Sequence, residues 1–422
     1  MTHHDNGPRV GIIGLGAMGL GMASNLARSG FSVTGFDIQQ SAVEQLVARG
    51  AKGADTPSAA AEDADLLIIV VATSDQTSTV LFDDEIGALT TLPQGSTILL
   101  CITALPDYVT ALDRRLKTVG RPDIKLIDCP ISGGEARAWN GTLSLLCAGH
   151  EPDISSIRDV LDCLSSRLHI VSSRIGDGSS LKLVHQILVG VHILASVELM
   201  GLCYVAGLDL HSVYESVMGG DGASWLFGQR AAHMLDENEL PASSLSIITK
   251  DMAMVTEHGR CHRVPLPLSS ITHQLLVQAL SAAWDAKDDC VTINAYLLTS
   301  GTLQDLRQGG SQPRASSNLD AAAASSLLIG IHAAVAIEVL LFAKKLGLDL
   351  GVLKEVVQGA AGSSVMFGKV CAQVEKIGKC SLVCLDDFDS ISQNMANAIA
   401  STRALGYPLF IASTALQQYY CA

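Results

Sequence analysis

Residues 10–19 read VGIIGLGAMG, and this stretch decides the fold of the first part of the chain. The apolar run from Val10 to Ile13 leads into glycines spaced G-x-G-x-x-G, namely Gly14, Gly16 and Gly19. In such a motif the first glycine allows a tight turn, the second lets the backbone approach a pyrophosphate, and the third lets helix and strand pack closely. The pattern predicts a strand, a turn and a helix whose free N–H groups bind a dinucleotide. A glycine-rich turn without a ligand is the alternative.

The residues around this motif specify the cofactor further. Ala17 and Met18 lie within the glycine turn and are predicted cofactor contacts as well. A second apolar run ends in Asp37, about 20 residues downstream, where a carboxylate binds a ribose 2′-hydroxyl and repels a 2′-phosphate. Because no Arg follows in residues 38–41, we expect NAD rather than NADP. An ordinary solvated carboxylate at Asp37 is the alternative.

Length and composition bound the class of protein. A chain of 422 residues, 48% of them hydrophobic, suggests two or three well-packed domains. The net charge of −14 argues against nucleic acid and anionic membranes as partners. The 11 cysteines show no paired C-x-x-C spacing, so we expect reduced thiols and no metal site. The polar N-terminus predicts no signal or transit peptide, and hence a cytoplasmic location.

The chain divides into an α/β part and a helical part. Residues 9 to about 172 alternate apolar runs with helical patterns, which predicts a doubly wound parallel sheet, a Rossmann fold. The further strand candidates are Leu66–Val71, Thr97–Ile102, Lys125–Asp128, Leu143–Ala148 and His169–Val171. Long helical patterns follow from Gly176 to about Leu298. The most apolar of them, Ile187 to Leu208, contains His and Glu and is expected to be a buried core helix.

An internal repeat shows that the helical part is duplicated. Residues 187–198, ILVGVHILASVE, recur as residues 327–338, LLIGIHAAVAIE, at an offset of 140. Gly207-Leu-Asp-Leu recurs at Gly347, and Ser224 with Phe227 recur as Ser364 with Phe367. We therefore predict a Rossmann domain over 1–174, a helical domain over 175–305, a linker over 306–320 and a second helical copy over 321–422.

Two further groups of residues are suited to chemistry on a small acid. The sequence DCPISGG ends in Ser132, Gly133 and Gly134, whose hydroxyl and backbone N–H groups are suited to holding a carboxylate. Lys182 and His185 are three residues apart on an apolar helix and share one face. A buried lysine releases its proton more readily and can act as a proton shuttle. A plain loop and a surface lysine are the respective alternatives.

Together these motifs resemble the β-hydroxyacid dehydrogenase family, which includes 3-hydroxyisobutyrate dehydrogenase, over about residues 9–298. The resemblance implies a Rossmann domain and an all-α domain like that of 6-phosphogluconate dehydrogenase. It implies oxidation of a hydroxyacid by hydride transfer to a nicotinamide, with Lys182 as general acid/base. It also implies that His185 orients the substrate hydroxyl or tunes Lys182, and that Lys250 lies near the nicotinamide. A purely structural His185 is the alternative.

The chain departs from the family pattern at three places. Thr103 fits the family's Ser-Thr turn near the nicotinamide, although Ile102 replaces the Ser. Val71-Ala72 replace a Leu-Pro turn and are still predicted to contact the cofactor. His185 replaces an Asn, and this variant resembles the L-threonate dehydrogenase branch, which suggests four-carbon sugar acids as substrates.

Two other functions remain open from the sequence. One is a 3-hydroxyisobutyrate- or glyoxylate-type dehydrogenase or reductase. The other is a non-catalytic, NAD-binding scaffold that recruits a partner through the second helical copy.

The second helical copy is predicted to be catalytically silent. Ala322 and Ser325 stand where Lys182 and His185 stand in the first copy, and Gln393-Asn394 replace Lys250-Asp251. His192 and His332 occupy equivalent places, which favours packing over catalysis. Because family members generally dimerise through the helical domain, the fused copy is expected to take the place of a partner's domain. The chain is then a monomer with pseudo-dimeric helical domains; a homodimer is the alternative.

Overall fold

The apolar runs of the first part form a nine-stranded sheet in the computed structural model, which describes residues 7–236, 243–297, 301–308 and 319–422. The strands are β1 (Val10–Ile13), β2 (Val33–Phe36), β3 (Lys52–Gly53), β4 (Leu66–Ile69), β5 (Thr97–Leu100), β6 (Lys125–Asp128), β7 (Ile131–Ser132), β8 (Leu143–Ala148) and β9 (Ser165–Ser172). Every residue of β1, β4 and β5 is buried. Continuous burial of this kind is typical of central parallel strands that are covered on both faces.

The strand order confirms the predicted doubly wound fold. The order is β3-β2-β1-β4-β5-β6-β8-β7, with β9 paired to β8, and all pairs from β3 to β6 are parallel. The sheet is not wholly parallel, however. Strand β8 runs antiparallel to β6, and β7 runs antiparallel to β8. A buried strand has the same apolar pattern in either direction, so the sequence could not reveal this reversal.

Eight helices connect and flank these strands. They are α1 (Gly19–Arg28), α2 (Gln40–Val47), α3 (Pro57–Ala61), α4 (Ser74–Phe82), α5 (Pro106–Thr118), α6 (Gly134–Asn140), α7 (Glu151–Ser156) and α8 (Arg158–Leu164). Helix α1 begins at Gly19, the last glycine of the motif, because the glycine turn leads directly into it. These elements belong to the first of two compact units, Met1–Leu183.

The second compact unit, Val184–Ala422, is helical throughout its described residues. Its first copy contains α9 (Asp177–Val205, which begins within the first unit), α10 (Leu210–Met218), α11 (Trp225–Leu235), α12 (Leu245–Cys261), α13 (Pro267–Leu280), α14 (Ile293–Leu297) and α15 (Leu303–Arg307). Its second copy contains α16 (Ala321–Leu346), α17 (Leu350–Gln358), α18 (Val365–Ile377), α19 (Phe388–Ser401) and α20 (Phe410–Cys421). The second copy therefore follows the first helix for helix, from α9 and α16 to α13 and α20.

Most of the predicted linker, 306–320, lies outside the described residues. Of its described ends, Leu306 and Leu319 are buried. Asp320 caps α16, since its carboxylate accepts a hydrogen bond from the N–H of Ala323 at 2.8 Å. The predicted domain boundaries at 174, 305 and 320 stay predictions.

The recurring glycines mark close contacts between helices. A Cβ on Gly190 of α9 would lie 2.4 Å from the Sδ of Met252 on α12. At the equivalent place, a Cβ on Gly330 of α16 would lie 1.8 Å from the Sδ of Met395 on α19. Both distances are shorter than real Cβ contacts, so in each copy a larger residue at this position would force the methionine side chain to shift.

The recurring glutamates cap helices of the opposite copy. Glu198 on α9 accepts hydrogen bonds from the N–H groups of Ile411 and Ala412, at 2.9 and 2.8 Å, where α20 begins. Glu338 on α16 accepts from the N–H groups of Leu268 and Ser269, both at 3.0 Å, in the first turn of α13. The two copies therefore exchange equivalent contacts, as the halves of a two-fold symmetric dimer do.

Equivalent residues also meet each other where the two copies face one another. The imidazole rings of His192 and His332 lie 4.2 Å apart and are fully buried. Burial lowers the pKa of His332 to about 3 and also lowers that of His192, so both rings are neutral at physiological pH. Ser224 and Ser364 form an antiparallel bridge. Self-pairing of equivalent residues places both pairs on a pseudo-two-fold axis and supports a packing role for the histidines.

Among the residues that the structure describes, two helices are long and apolar enough to cross a membrane by length and composition. These are α9, with a mean hydropathy of 1.9 in its most apolar window, and α16, with 2.2. The structure buries 100% of the first window and 83% of the second inside the protein. Such burial is typical of core helices, and it agrees with the expectation for the segment from Ile187.

Several cysteine side chains lie in the interior of the protein. All 11 cysteines are free, and Cys129 and Cys147, whose sulfurs lie 3.1 Å apart, are buried. Burial raises the pKa of Cys129 well above its usual value, and the hydrogen bond to Cys129 together with burial does the same for Cys147, so both thiols are protonated at neutral pH.

The capping glutamate on α16 gives a testable pH dependence. Burial raises the pKa of Glu338 from 4.5 to about 6, against the lowering effect of its hydrogen bonds. Because the pKa is raised in the folded state, this group's contribution to stability is lost as the pH rises through 6. Glu338→Gln does not titrate, so wild type should lose about 2 kcal/mol of unfolding free energy relative to this variant between pH 4 and pH 8. Denaturant titrations of both proteins measure this difference, and a constant difference would contradict the assignment.

Candidate functional site

The fold brings four of the predicted cofactor positions to one edge of the sheet. Gly14, Asp37, Val71 and Thr103 follow the carboxyl ends of the parallel strands β1, β2, β4 and β5. The strand order reverses at β1, which lies between β2 and β4. In open α/β sheets a ligand binds in the crevice beside such a reversal point.

The glycine turn between β1 and α1 has the geometry that a dinucleotide needs. Gly14 has a φ of 96°, and a Cβ there would lie 2.4 Å from the carbonyl oxygen of Val70. A Cβ on Gly19 would lie 1.9 Å from the oxygen of Gly14. By contrast, a Cβ on Gly16 meets no described atom within 4 Å. Gly14 and Gly19 therefore serve the packing of the turn, while Gly16 leaves room for a ligand.

The start of α1 is available to an anion. Ala17 is exposed and Met18 is half-buried, and α1 has no side-chain cap among the described residues. The backbone N–H groups of a helix start are donors that a phosphate can satisfy. The structure thus places Ala17 and Met18 in the predicted turn, directly before α1.

Asp37 has a structural task in addition to its predicted one. One of its oxygens accepts a hydrogen bond from the N–H of Leu15 in the glycine turn at 2.6 Å, and the other accepts from Gln39 at 2.8 Å. It is therefore not simply a solvated carboxylate. Each carboxylate oxygen has two lone pairs, so Asp37 retains the capacity to accept a ribose hydroxyl.

The segments after β4 and β5 are fixed by local interactions. The side-chain oxygen of Gln76 accepts hydrogen bonds from the N–H groups of Ala72 and Thr73 at 2.9 and 3.2 Å. The Thr73 hydroxyl in turn accepts from the N–H of Gln76 and completes a capping box at the start of α4. Gln76 was not among the residues predicted from the sequence, although the spacing T-x-x-Q is a recognisable signal of a capping box. Thr103 is half-buried between β5 and α5.

The predicted carboxylate-binding residues lie between β7 and α6. Ser132 is half-buried on β7, and Gly133 and Gly134 are exposed, with φ values of 142° and 75° that favour glycine. A Cβ on Gly134 meets no described atom within 4 Å, whereas one on Gly133 would lie 2.8 Å from the Arg137 side chain. The loop is therefore open to solvent at Gly134.

Asp128, at the end of β6, holds the start of the helix that carries Lys182. Its carboxylate is fully buried and accepts hydrogen bonds from the N–H and hydroxyl of Ser179 at 2.8 and 2.7 Å. Burial raises the pKa of Asp128 to about 6 despite these donors. A Cβ on Gly178 would lie 2.5 Å from the oxygen of Leu146, so a glycine is needed at this approach. No local spacing connects residues 128 and 179, so this link could not be predicted from the sequence.

The two predicted catalytic residues are both buried. Lys182 retains 7% exposure and His185 retains 1%, so Lys182 is not a surface lysine. The Nε2 of His185 accepts a hydrogen bond from the backbone N–H of Gly362 at 3.1 Å. Gly362 belongs to the second helical copy, between α17 and α18, and no sequence signal singled it out.

Lys250 is tied to α9 through its neighbour Asp251. The ammonium of Lys250 lies 3.3 Å from one oxygen of Asp251, and the other oxygen accepts a hydrogen bond from the Gln186 side chain at 2.5 Å. Asp251 is buried, whereas the Lys250 side chain is 35% exposed. The pair therefore connects α12 to α9, and part of Lys250 stays accessible.

In the described part of the chain, one group of side chains has the spacing of metal ligands, and it lies outside the residues predicted from the sequence. The ligand atoms of His233, Asp288 and Cys290 lie within 4.8 Å of one another. Asp288 also accepts the N–H of Cys290 at 3.0 Å, and the adjacent Asp289 pairs with buried Arg230 at 2.7 Å. These contacts give the group a structural role in joining α11 to the segment before α14.

Family models match most of the chain. Residues 9–173 match the model described as the NAD binding domain of 6-phosphogluconate dehydrogenase. Residues 176–296 and 321–422 match the model described as NAD-binding of NADP-dependent 3-hydroxyisobutyrate dehydrogenase. Both helical copies are therefore similar to the same family domain.

Several curated enzymes are similar over most of their length. An L-threonate dehydrogenase of Cupriavidus necator is 33% identical over 287 residues, which are 68% of this chain and 95% of that protein. An L-threonate dehydrogenase of Escherichia coli K12 is 32% identical over 288 residues, 68% of this chain and 94% of that protein. The 2-hydroxy-3-oxopropionate reductase of the same organism is 28% identical, covering 63% of this chain and 89% of its own.

Solved structures agree with the fold. A 3-hydroxyisobutyrate dehydrogenase from Salmonella typhimurium is 32% identical, with a TM-score of 0.63, over 68% of this chain and 99% of its own. The 6-phosphogluconate dehydrogenase of Plasmodium falciparum is 15% identical, with a TM-score of 0.70, over 98% of this chain and 92% of its own. The second comparison concerns the fold alone, and it extends over the second helical copy.

The glycine turn can be tested with a matched pair of substitutions. In Gly16→Ala the added methyl group enters open space, so the melting temperature should stay close to that of wild type. Dinucleotide affinity should nevertheless fall at least tenfold, because the methyl group blocks the approach of the pyrophosphate. In Gly19→Ala the clash with Gly14 should cost about 1–3 kcal/mol of stability. Circular dichroism melts and calorimetric titrations measure both effects; equal affinity for wild type and Gly16→Ala would contradict this reading of the turn.

Proposed function

Because this chain belongs to the β-hydroxyacid dehydrogenase family, we propose that it is an NAD-dependent dehydrogenase of a sugar acid similar to L-threonate, with Lys182 as its general acid/base. The observation that carries the proposal is the burial of Lys182 and His185, three residues apart on one helix. The start of that helix is anchored to the sheet through Asp128 and Ser179. A lysine on a fixed and desolvated helix is suited to proton transfer.

The proposed chemistry divides between the cofactor and the protein. A dinucleotide held by Gly14, Gly16, Gly19 and Asp37 would supply a nicotinamide as the acceptor of the hydride from the alcohol carbon of the substrate. Lys182 takes the proton of the same hydroxyl, so the alcohol becomes a carbonyl; in the reverse direction Lys182 returns the proton. His185 orients the substrate hydroxyl, and Ser132, Gly133 and Gly134 hold the carboxylate. The chain thus supplies position and proton transfer, which typically accelerates such reactions by about 10²- to 10⁴-fold.

The choice of an L-threonate-like substrate rests on His185 and on the relatives. The family's Asn is replaced by His185, as it is in the L-threonate dehydrogenase branch. Relatives that carry this name are 31–33% identical. A 3-hydroxyisobutyrate- or glyoxylate-type substrate is the alternative, and a relative named 2-hydroxy-3-oxopropionate reductase, at 28% identity, keeps it open.

The preference for NAD rests on Asp37. Its carboxylate lies at the end of β2 and is held in place by two backbone N–H groups. A negative charge fixed there repels the 2′-phosphate of NADP and accepts the 2′-hydroxyl of NAD. We propose Val71, Ala72, Thr103 and Lys250 as further cofactor contacts, the last near the nicotinamide. A cytoplasmic location also remains a proposal.

The proposal predicts a defined pattern of activity. Wild type, assayed on C3 to C6 hydroxyacids with NAD and NADP side by side, should oxidise L-threonate best and should prefer NAD. Lys182→Ala should lower kcat about 10²- to 10⁴-fold, because the hydroxyl proton has no acceptor, while dinucleotide affinity stays within about twofold. The exposed Lys345→Ala is the control and should keep full activity.

Three outcomes separate the alternatives. A C3 substrate used best by wild type would favour the 3-hydroxyisobutyrate or glyoxylate type. Undiminished turnover by Lys182→Ala would remove the proton carrier from the mechanism. Dinucleotide binding without turnover on any hydroxyacid would indicate a scaffold.

A further inference from the structure

The second helical copy lacks catalytic residues but keeps its contact with the first. Its loop between α17 and α18 lies directly on His185. A Cβ on Gly362 would come within 3.1 Å of both Nε2 and Cδ2 of His185, and within 3.0 Å of the Cβ of Leu188. A side chain at this position would force the imidazole or Leu188 to move by a few tenths of an ångström, so this loop fits closely around His185.

Backbone hydrogen bonds to the equivalent loop of the first copy fix the position of this loop. The N–H of Trp225 donates to the oxygen of Ser363 at 3.0 Å, and the N–H of Val365 donates to the oxygen of Ala223, also at 3.0 Å. The Ser364 hydroxyl accepts a hydrogen bond from the N–H of Phe367 at 3.1 Å and so begins α18. The Gly362 N–H therefore has a defined position relative to the first copy.

The equivalent contact on the other side of the axis has lost its imidazole. There Gly222, in the first copy, approaches α16 of the second copy, and a Cβ on it would lie 2.9 Å from the hydroxyl of Ser325. Ser325 stands at the position of His185. The same type of loop thus meets a histidine at one place and a serine at the other, which provides a control within one molecule.

We propose that the second helical copy is a built-in partner of the active site, in which the Gly362 amide holds His185 in its neutral form with the proton on Nδ1. This inference rests on the proposed function. A nitrogen that accepts a hydrogen bond from an N–H cannot itself carry a proton, so the contact excludes the imidazolium. A positive charge at His185 would disfavour proton uptake by Lys182, three residues earlier on α9. Gly362 is thus a positioning residue, and the neutral imidazole keeps Lys182 able to accept the substrate proton.

Two matched substitutions in the full-length chain test this role. Gly362→Ala pushes a methyl group against His185, whereas Gly222→Ala pushes one against Ser325. Both should melt at similar temperatures. Gly362→Ala should lower kcat at least tenfold with little change in the KM for the dinucleotide, and Gly222→Ala should stay within twofold of wild type in both. Equal kcat values for the two variants would overturn the proposal.

A spectroscopic measurement keeps the proposal testable if Gly362→Ala does not fold. In wild type labelled with ¹⁵N-histidine, the His185 signals, assigned by their loss in His185→Gln, should show an unprotonated Nε2 and a protonated Nδ1 at neutral pH. A protonated Nε2 would overturn the proposal. The two proposals fail differently, because absence of hydroxyacid oxidation by wild type counts against the proposed function, whereas the ¹⁵N result concerns only the contact between His185 and Gly362.

Discussion

The exchange of buried carboxylates between the two helical copies is the interaction on which the second unit depends. Glu198 and Glu338 are almost fully buried, and a buried carboxylate is costly unless donors surround it. Each finds those donors at the start of a helix in the other copy. Since the contact is reciprocal, losing either glutamate would leave one helix start uncapped. This explains why both glutamates are present although Ala322 and Ser325 replace Lys182 and His185 in the second copy.

The same symmetry gives the second helical copy a structural role, because it forms the interface that a partner subunit would form. A two-fold interface uses the same surface on both partners and is closed once it has formed. Here both surfaces belong to one chain, and His192 with His332 and Ser224 with Ser364 lie where they meet. The loop with Gly362 then reaches His185 as a partner subunit's loop would. The two copies of one family domain therefore meet at His185, a predicted catalytic residue of the first copy.

The sequence predicted those features whose cause is local. The glycine turn, the buried strand runs and the matching periodicity of residues 187–198 and 327–338 each reflect the steric needs of neighbouring residues, and the structure has them where they were expected. Even the end of one helix and the cap of the next, at Gly207 and Asp209, recur at Gly347 and Asp349. The direction of a strand could not be predicted in this way, because a buried strand such as β8 is apolar in either orientation.

Hydrogen bonds between residues far apart in the chain could not be predicted from the sequence. Asp128 bonds to a residue 51 positions away, and His185 bonds to one 177 positions away. No spacing rule connects such pairs. Asp128 could be predicted only as part of a loop motif, and Gly362 could not be predicted at all. Both contacts concern the helix that carries Lys182. The residues that position a site were therefore harder to find than the residues expected to do its chemistry.

The mass of the active protein in solution tests most directly whether the second copy replaces a partner subunit. Sedimentation of the full-length enzyme during turnover, from micromolar to low nanomolar concentration, compares mass with specific activity. If the interface is closed within one chain, the active species should have the mass of one chain, 44.2 kDa, and its specific activity should not change on dilution. An active species of twice this mass that loses activity on dilution would contradict the account.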